Sequence, residues 1–224
     1  MSDTAVSSTC LVLMLKAPDR SKRRLAAEMG RSAADAADRL SACAIEDMRH
    51  WRGFRCFAPA EAADGEWLAG RALPEGAEIR QQGENLGARI NHVNRELCKL
   101  GWPRQIFIGV DCPRLDQSYL ERAASALTRH DAVLGPAVDG GVVLMGARRP
   151  WPELTGLPWS TAALRDALRS TCEAAGWSVA TLEPLTDVDR FEDLAPLERS
   201  LRGDPRPARR ALREWVLELD TEPR

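Results

Sequence analysis

Short apolar runs alternate with amphipathic stretches along almost the whole chain, and that alternation limits the fold more than any other feature. The runs are Cys10–Leu15, Phe54–Ala58, Ala77–Gln81, Gln105–Val110, Ala132–Gly135, Val142–Gly146 and Ser178–Leu182. Each has the length of a buried strand and is too short for a helix. Between them apolar residues recur at helical spacing. Ala33, Ala37, Leu40, Ala44 and Met48 form one stripe, and Leu86, Ile90, Val93, Leu97 and Leu100 another. Leu120, Ala123, Ala124 and Leu127 follow Asp116, a good N-cap, and Leu164, Leu168, Cys172 and Ala175 make a further stripe. Strands alternating with helices of this length predict βαβ units and a mainly parallel sheet covered on both faces. One joint departs from the pattern. Only PAVDGG, residues 136–141, lies before Val142, too little for a crossover helix, so part of the sheet is expected to be antiparallel.

A chain of 224 residues with 44% apolar content supplies one sizeable core, and no repeat or long linker divides it. The expected organisation is a flexible N-terminus over residues 1–9 and a single domain over 10–201. A C-terminal loop and helix over 202–224 would cover the core or make a homodimer contact. The formal net charge of −2 provides no global field for nucleic acid, and no apolar run is long enough for a membrane span. The six cysteines form no C-x-x-C pair, a pattern of reduced thiols more than of disulfides or a zinc site. The opening MSDTAVSST lacks the basic region of a secretory signal, so a cytoplasmic location is the expectation. No G-x-G-x-x-G follows any strand, which argues against a dinucleotide-dependent oxidoreductase.

In open α/β sheets ligands sit beyond the carboxyl ends of the strands. Lys16 follows the first run and opens a basic stretch with Arg20, Lys22, Arg23, Arg24 and Arg31. Asp111 follows Val110 within IFIGVDCPRL, residues 106–115. A carboxylate at the tip of a core strand costs several kcal/mol to desolvate unless a partner offsets it. Asp187 and Asp189 follow Leu182 within TDVDRFEDL. Two carboxylates about 4 Å apart repel by roughly 4 kcal/mol at an effective dielectric of 20. Such a cluster calls for a proton, an intervening Lys or Arg, or a divalent cation. Mg²⁺ binds one or two carboxylates together with substrate phosphates and waters, and Lys16 with the arginines behind it suits the phosphates.

Local readings compete at several of these positions. Asp189 with Glu192 fits a capping box, and Asp139-Gly140-Gly141 fits a tight turn. Ser160-Thr161 fits a helix N-cap, whose N-terminus would also bind an anion. Cys112 reads as a small buried filler before a reactive thiol. His50, His92 and His130 read as structural, and the C-terminal arginines from Arg199 to Arg213 as a solvated face.

Taken in order, a set of segments carries a family resemblance. They are Lys16-Ala17-Pro18 with Lys22 and Arg24-Leu25, Leu86-Gly87 with Arg89, and Gly109 with Asp111-Cys112-Pro113. Leu134-Gly135-Pro136-Ala137 with Asp139-Gly140-Gly141, Leu144 with Gly146, and Trp159-Ser160-Thr161 continue the set. Asp187-Val188-Asp189 with Glu192-Asp193-Leu194 completes it. Over residues 11–197 the chain resembles the bacterial family labelled domain of unknown function 2064, GT-A-like proteins also described as radical-SAM/selenodomain-associated transferases.

The resemblance implies an α/β fold of the GT-A-like type: a three-layer αβα sandwich with a mostly parallel, mixed sheet in a single domain. It implies a metal-dependent transferase that moves a glycosyl or nucleotidyl group from a nucleotide or nucleotide-sugar donor to an acceptor the sequence does not identify. In that superfamily a strand-end Asp and a later Asp hold Mg²⁺ or Mn²⁺ against the phosphates, and these map to Asp111 and Asp189. Lys16, Lys22 and Arg24 would bind phosphates, and Ser160 and Thr161 an anionic end of donor or acceptor. Asp139 would orient or deprotonate the acceptor. The chain departs from the family's first loop, K-A-P-x-P-G-x-V-K-T-R-L, with the shorter KAPDRSKRRL, which lacks the glycine. The alternative reading is a degenerate, non-catalytic member that binds a ligand or partner, with Arg190 neutralising Asp111 or Asp189 in place of a cation.

Overall fold

The computed structural model describes residues 2–20, 23–30, 32–71 and 73–219. The strands are β1 (Cys10–Leu15), β2 (Phe54–Pro59), β3 (Ala77–Glu78), β4 (Gln105–Ile108), β5 (Ala132–Pro136), β6 (Val142–Ala147) and β7 (Val179–Thr181). They form one seven-stranded sheet in the order β3-β2-β1-β4-β6-β5-β7. β6 runs antiparallel to both of its neighbours, and every other pairing is parallel. The short PAVDGG joint therefore makes the hairpin that the sequence predicts. Three runs end earlier than predicted, β7 by a single residue at Thr181. β3 keeps only two residues at the sheet's edge, and β4 leaves the ladder after Ile108, where the chain turns to present Asp111.

The helices are α1 (Ser2–Ser7), α2 (Arg23–Met29), α3 (Ser32–His50), α4 (Ala62–Ala69), α5 (Leu86–Lys99), α6 (Gln117–Ala126), α7 (Leu164–Ala174), α8 (Leu194–Ser200) and α9 (Pro207–Leu219). On one face of the sheet Leu11, Leu13, Ile106 and Ile108 pack with residues of α1, α3 and α6. On the other, Val12, Cys56, Phe107 and Leu134 pack with α5 and α7. Strands covered on both sides must be apolar on both sides, which is why β1 and β4 read as continuous runs without alternation. Fully burying each such Leu or Ile stabilises the fold by about 1.5–3 kcal/mol.

A further cluster forms on the outer side of α3. Leu40 and Cys43 meet Val188, Leu197, Leu212 and Val216 there, so α3 lies between the sheet and the C-terminal helix. α9 thus covers the core through α3. Residues 2–7, within the segment expected to be a flexible lead, form α1 with Ala5 and Val6 buried. Leu86 and Leu100 were expected on the buried stripe of α5 but are 42% and 60% exposed, because they fall at the two ends of the helix. α6 starts as predicted, with the Asp116 carboxylate accepting the Tyr119 N–H at 2.7 Å.

Candidate active site

Strand register brings the predicted groups to one rim. β1 pairs with β4 so that Leu13 lies opposite Ile108. The ladder ends there, and Lys16 and Asp111 each follow it by three residues at the same edge of the sheet, both exposed. β6 pairs with β4 so that Leu144 lies opposite Ile108, and the turn at Gly141, three residues before Leu144, lies at that edge too. β7 continues through a bridge between Ala137 and Leu185, and the Val188 N–H then donates to the Asp111 carbonyl at 2.8 Å. Val188 itself is buried beside α3, whereas Asp187 and Asp189 on either side are half-buried. Consecutive Cα atoms stand about 3.8 Å apart, so this one backbone bond brings the backbone of both acids close to Asp111. The Cys112 thiol lies against the same segment, donating to the Thr186 carbonyl at 3.5 Å. Burial first, then the nearby Asp187 and Asp111 charges, push it up to about 12. It is a buried filler, not a nucleophile.

The hairpin tip is fixed by close backbone packing. The Asp139 carboxylate accepts the Gly141 N–H at 2.9 Å, and Gly140 takes a φ of +95°. A Cβ on Gly140 would stand 2.3 Å from the Ala162 carbonyl oxygen, and the Arg165 N–H donates to the Gly140 carbonyl at 3.2 Å. Asp139 and the Ser160-Thr161 segment are therefore neighbours on the rim. The N-cap expected at Ser160-Thr161 is not there. α7 begins at Leu164 with Ala163 at the cap position, and the Thr161 hydroxyl accepts the Ala163 N–H instead. Ser160 adopts a left-handed φ of +64°, the only positive φ at a non-glycine position among the described residues.

The capping box predicted for Asp189 and Glu192 is also displaced. Asp193 accepts the N–H groups of both Asp189 and Arg190, at 2.8 and 2.7 Å. Arg190 pairs with Glu28 on α2, not with the rim acids it was expected to neutralise. Arg20, part of the basic stretch, is held by Glu61 and the fully buried Asp64 at the start of α4. Asp64 also accepts the Ala17 N–H at 2.6 Å, so it anchors the loop after β1 directly behind Lys16. The expectations for Lys22 and for the Arg24 side chain lie outside the described residues. Among the described residues, no group of three or more His, Cys, Asp or Glu side chains is arranged to hold a metal ion.

A second charged assembly was not foreseen. Arg209 on α9 is fully buried, and all five N–H donors of its guanidinium are used. They reach the carbonyls of Cys43, Pro113 and Leu115 and the carboxylates of Glu46 and Asp47. Arg206 adds bonds to Asp47 and to the Leu115 carbonyl, and Glu46 accepts the Ala208 N–H at the start of α9. Burial pushes Asp47 up to about 6 against the opposing pull of Arg209. Arg213 pairs with Glu198. The expected solvated face of C-terminal arginines is thus replaced by ion pairs, buried at Arg209 and partly buried at Arg206 and Arg213.

A mostly parallel seven-stranded sheet flanked by helices has counterparts among known proteins. The profile described as "Uncharacterized protein conserved in bacteria (DUF2064)" matches residues 42–161, and the chain belongs to that family. A search of curated proteins finds no match. Among solved structures, a "putative nucleotide-diphospho-sugar transferase" from Desulfovibrio desulfuricans G20 superposes with a TM-score of 0.85 at 24% identity. That alignment covers 95% of this chain and 98% of the other. A cytidylyltransferase from Leptospira borgpetersenii serovar Hardjo-bovis gives 0.56 at 10% identity, over 96% and 95% of the two chains. Rv0371c of Mycobacterium tuberculosis H37Rv, solved in complex with manganese, gives 0.52 at 16% identity, over 84% and 96%. These likenesses establish the fold. Among the described residues, no helix is long and apolar enough to cross a membrane.

Proposed function

We propose that the chain is a metal-dependent transferase that moves a glycosyl or nucleotidyl group from a nucleotide-type donor at this rim. The observation that carries the reading is the bond from the Val188 N–H to the Asp111 carbonyl, which sets Asp187 and Asp189 against the tip of β4. An all-oxygen donor set of this kind suits a hard cation such as Mg²⁺ or Mn²⁺, which completes its shell with phosphate oxygens and water. Asp111 and Asp189 would hold the ion. When bound, the ion supplies electrostatic stabilisation of the charge developing on the donor phosphates. Lys16, which follows β1 at the same edge of the sheet, binds phosphate as a point charge. Asp139, fixed by the hairpin turn, orients the acceptor, and the Ser160-Thr161 segment beside it takes an anionic end of donor or acceptor.

The neighbours' printed activities and the manganese in one of them support this reading at the level of class. A thermal-shift screen of nucleotides and nucleotide sugars, with and without Mn²⁺, tests it. Binding at a hundred times Kd stabilises the folded state by about 2.7 kcal/mol, so a productive donor raises Tm clearly, and only when Mn²⁺ is present. A flat response to every nucleotide refutes the proposal. The shortened first loop, with Arg20 committed to Glu61 and Asp64, favours one second reading, binding without transfer. Ligand binding that is indifferent to Mn²⁺, with no turnover across an acceptor panel, distinguishes it.

A further inference from the structure

The segment that follows Asp111 is gripped from outside the residues that the family profile matches. Cys112 to Leu115 form a turn closed by the Leu115 N–H on the Cys112 carbonyl at 3.1 Å. Two carbonyls of this turn, Pro113 at 3.0 Å and Leu115 at 3.1 Å, accept from Arg209. Leu115 also accepts from Arg206 at 2.7 Å. The same Arg209 guanidinium is fixed at its other donors by Cys43, Glu46 and Asp47 of α3. Gln117 ties the next residues to α3 through the Asp47 carbonyl at 3.0 Å. On the far side of the turn, the Asp111 carbonyl receives Val188, and Val188 packs in the cluster that α3 and α9 complete. Both ends of the Asp111 segment therefore lead back to α9.

We infer that Arg209 is a positioning residue, and that the C-terminal helix sets the separation between Asp111 and the Asp187–Asp189 segment. A planar fork with five donors can span two carboxylates and three carbonyls at once, whereas a lysine ammonium cannot. Arg209 touches no substrate in this scheme. It holds the turn at residues 112–115 against α3, and thereby fixes the strand tip that the Val188 N–H must reach. The functional weight of the inference rests on the rim being the transfer site, but the geometry has a readout of its own.

The test measures amide hydrogen exchange at Val188 by NMR, and Mn²⁺ affinity by titration, in the full chain. Arg209→Lys keeps the charge and removes the fork. The triple variant Arg209→Met with Glu46→Gln and Asp47→Asn removes the network without stranding a buried charge. Leu97→Ala is the control, since it removes a fully buried leucine from the opposite face of the sheet, away from Val188 and from residues 113–115. All measurements are made well below each variant's unfolding temperature. Both Arg209 variants are expected to speed Val188 exchange and weaken Mn²⁺ binding at least tenfold, while Leu97→Ala leaves both within about twofold. Unchanged Val188 protection in the Arg209 variants, or an equal loss in Leu97→Ala, overturns the inference. A wild-type protein that shows the exchange pattern but no response to Mn²⁺ supports the positioning role and refutes the transferase reading.

Discussion

Two acidic regions of this molecule are built under opposite conditions. On α3, Glu46 and Asp47 are buried and are met by Arg206 and Arg209. At the rim, Asp111 is exposed and Asp187 and Asp189 are half-buried. Removing a carboxylate from water costs several kcal/mol, so the buried pair has to be matched within the chain. Water screens the rim, so the pairings of its acids are worth less. The contrast separates charge that is desolvated and fixed inside the core from charge at a solvated edge of the sheet, and the turn at residues 112–115 joins the two.

The largest expected effect falls on the buried side. Arg209→Met leaves Glu46 without a cation and Asp47 with Arg206 alone, and should destabilise the fold by about 3–5 kcal/mol, read by urea unfolding. Adding Glu46→Gln and Asp47→Asn should recover most of that loss. If Arg209→Met costs less than 1 kcal/mol, the network does not hold α9 to α3. Next comes the scaffold of the rim. Gly140→Ala combines an unfavourable φ with a clash against the Ala162 carbonyl, and should cost about 1–3 kcal/mol in the same assay. A neutral result there would show that the hairpin tip and the Ser160-Thr161 segment are not packed together.

Asp131 lies at the opposite edge of the sheet and sharpens the comparison. Its carboxylate accepts from the Ser178 N–H and hydroxyl and from Arg148. The Ser178 backbone bond first, with the Arg148 and Ser178 side-chain bonds and the Arg149 charge, holds it down at about 2. A depressed carboxylate contributes stability that is present above its ordinary value and is lost as pH falls through the folded value. Asp131→Asn should therefore cost about 1 kcal/mol at pH 7, after allowance for solvent screening. The gap to wild type should close between about pH 4 and pH 2. A pH-independent gap would mean that the charge is not what matters. The smallest effect on stability is predicted for Asp111→Asn, within about 0.5 kcal/mol, because the pairings of an exposed carboxylate are screened by water.

The outline of the fold was legible because strands buried on both faces leave an unmistakable apolar run, and PAVDGG is too short to be anything but a hairpin. The rim was legible through a topological rule, since residues after parallel strands emerge on one edge, and Lys16, Asp111 and Asp187–Asp189 do so. The fine local chemistry was harder. TDVDRFEDL offers several acids within reach of one helix start, and the cap went to Asp193 because that start lies later than the spacing D-x-x-E suggests. Ser160-Thr161 failed as a cap for the same reason, with α7 opening at Leu164. The buried network was hidden in a basic run whose neighbours, Arg199, Arg202 and Arg210, are exposed. Its signal was positional. Arg209 shares a helix face with Leu212 and Val216, and Asp47 lies four residues after Cys43 on the face of α3 that meets α9. A charge set into an apolar stripe points to a buried partner elsewhere in the chain.

Calorimetric titration of nucleotides into the wild-type protein and into Asp111→Asn, each with and without Mn²⁺, puts the shared-ion rim to the proof. The structure predicts binding that requires Mn²⁺ in the wild type and weakens at least tenfold in the variant, about 1.4 kcal/mol or more, with the melting temperature of the ligand-free protein unchanged. Equal nucleotide affinity in the two proteins, or affinity indifferent to Mn²⁺, would contradict it.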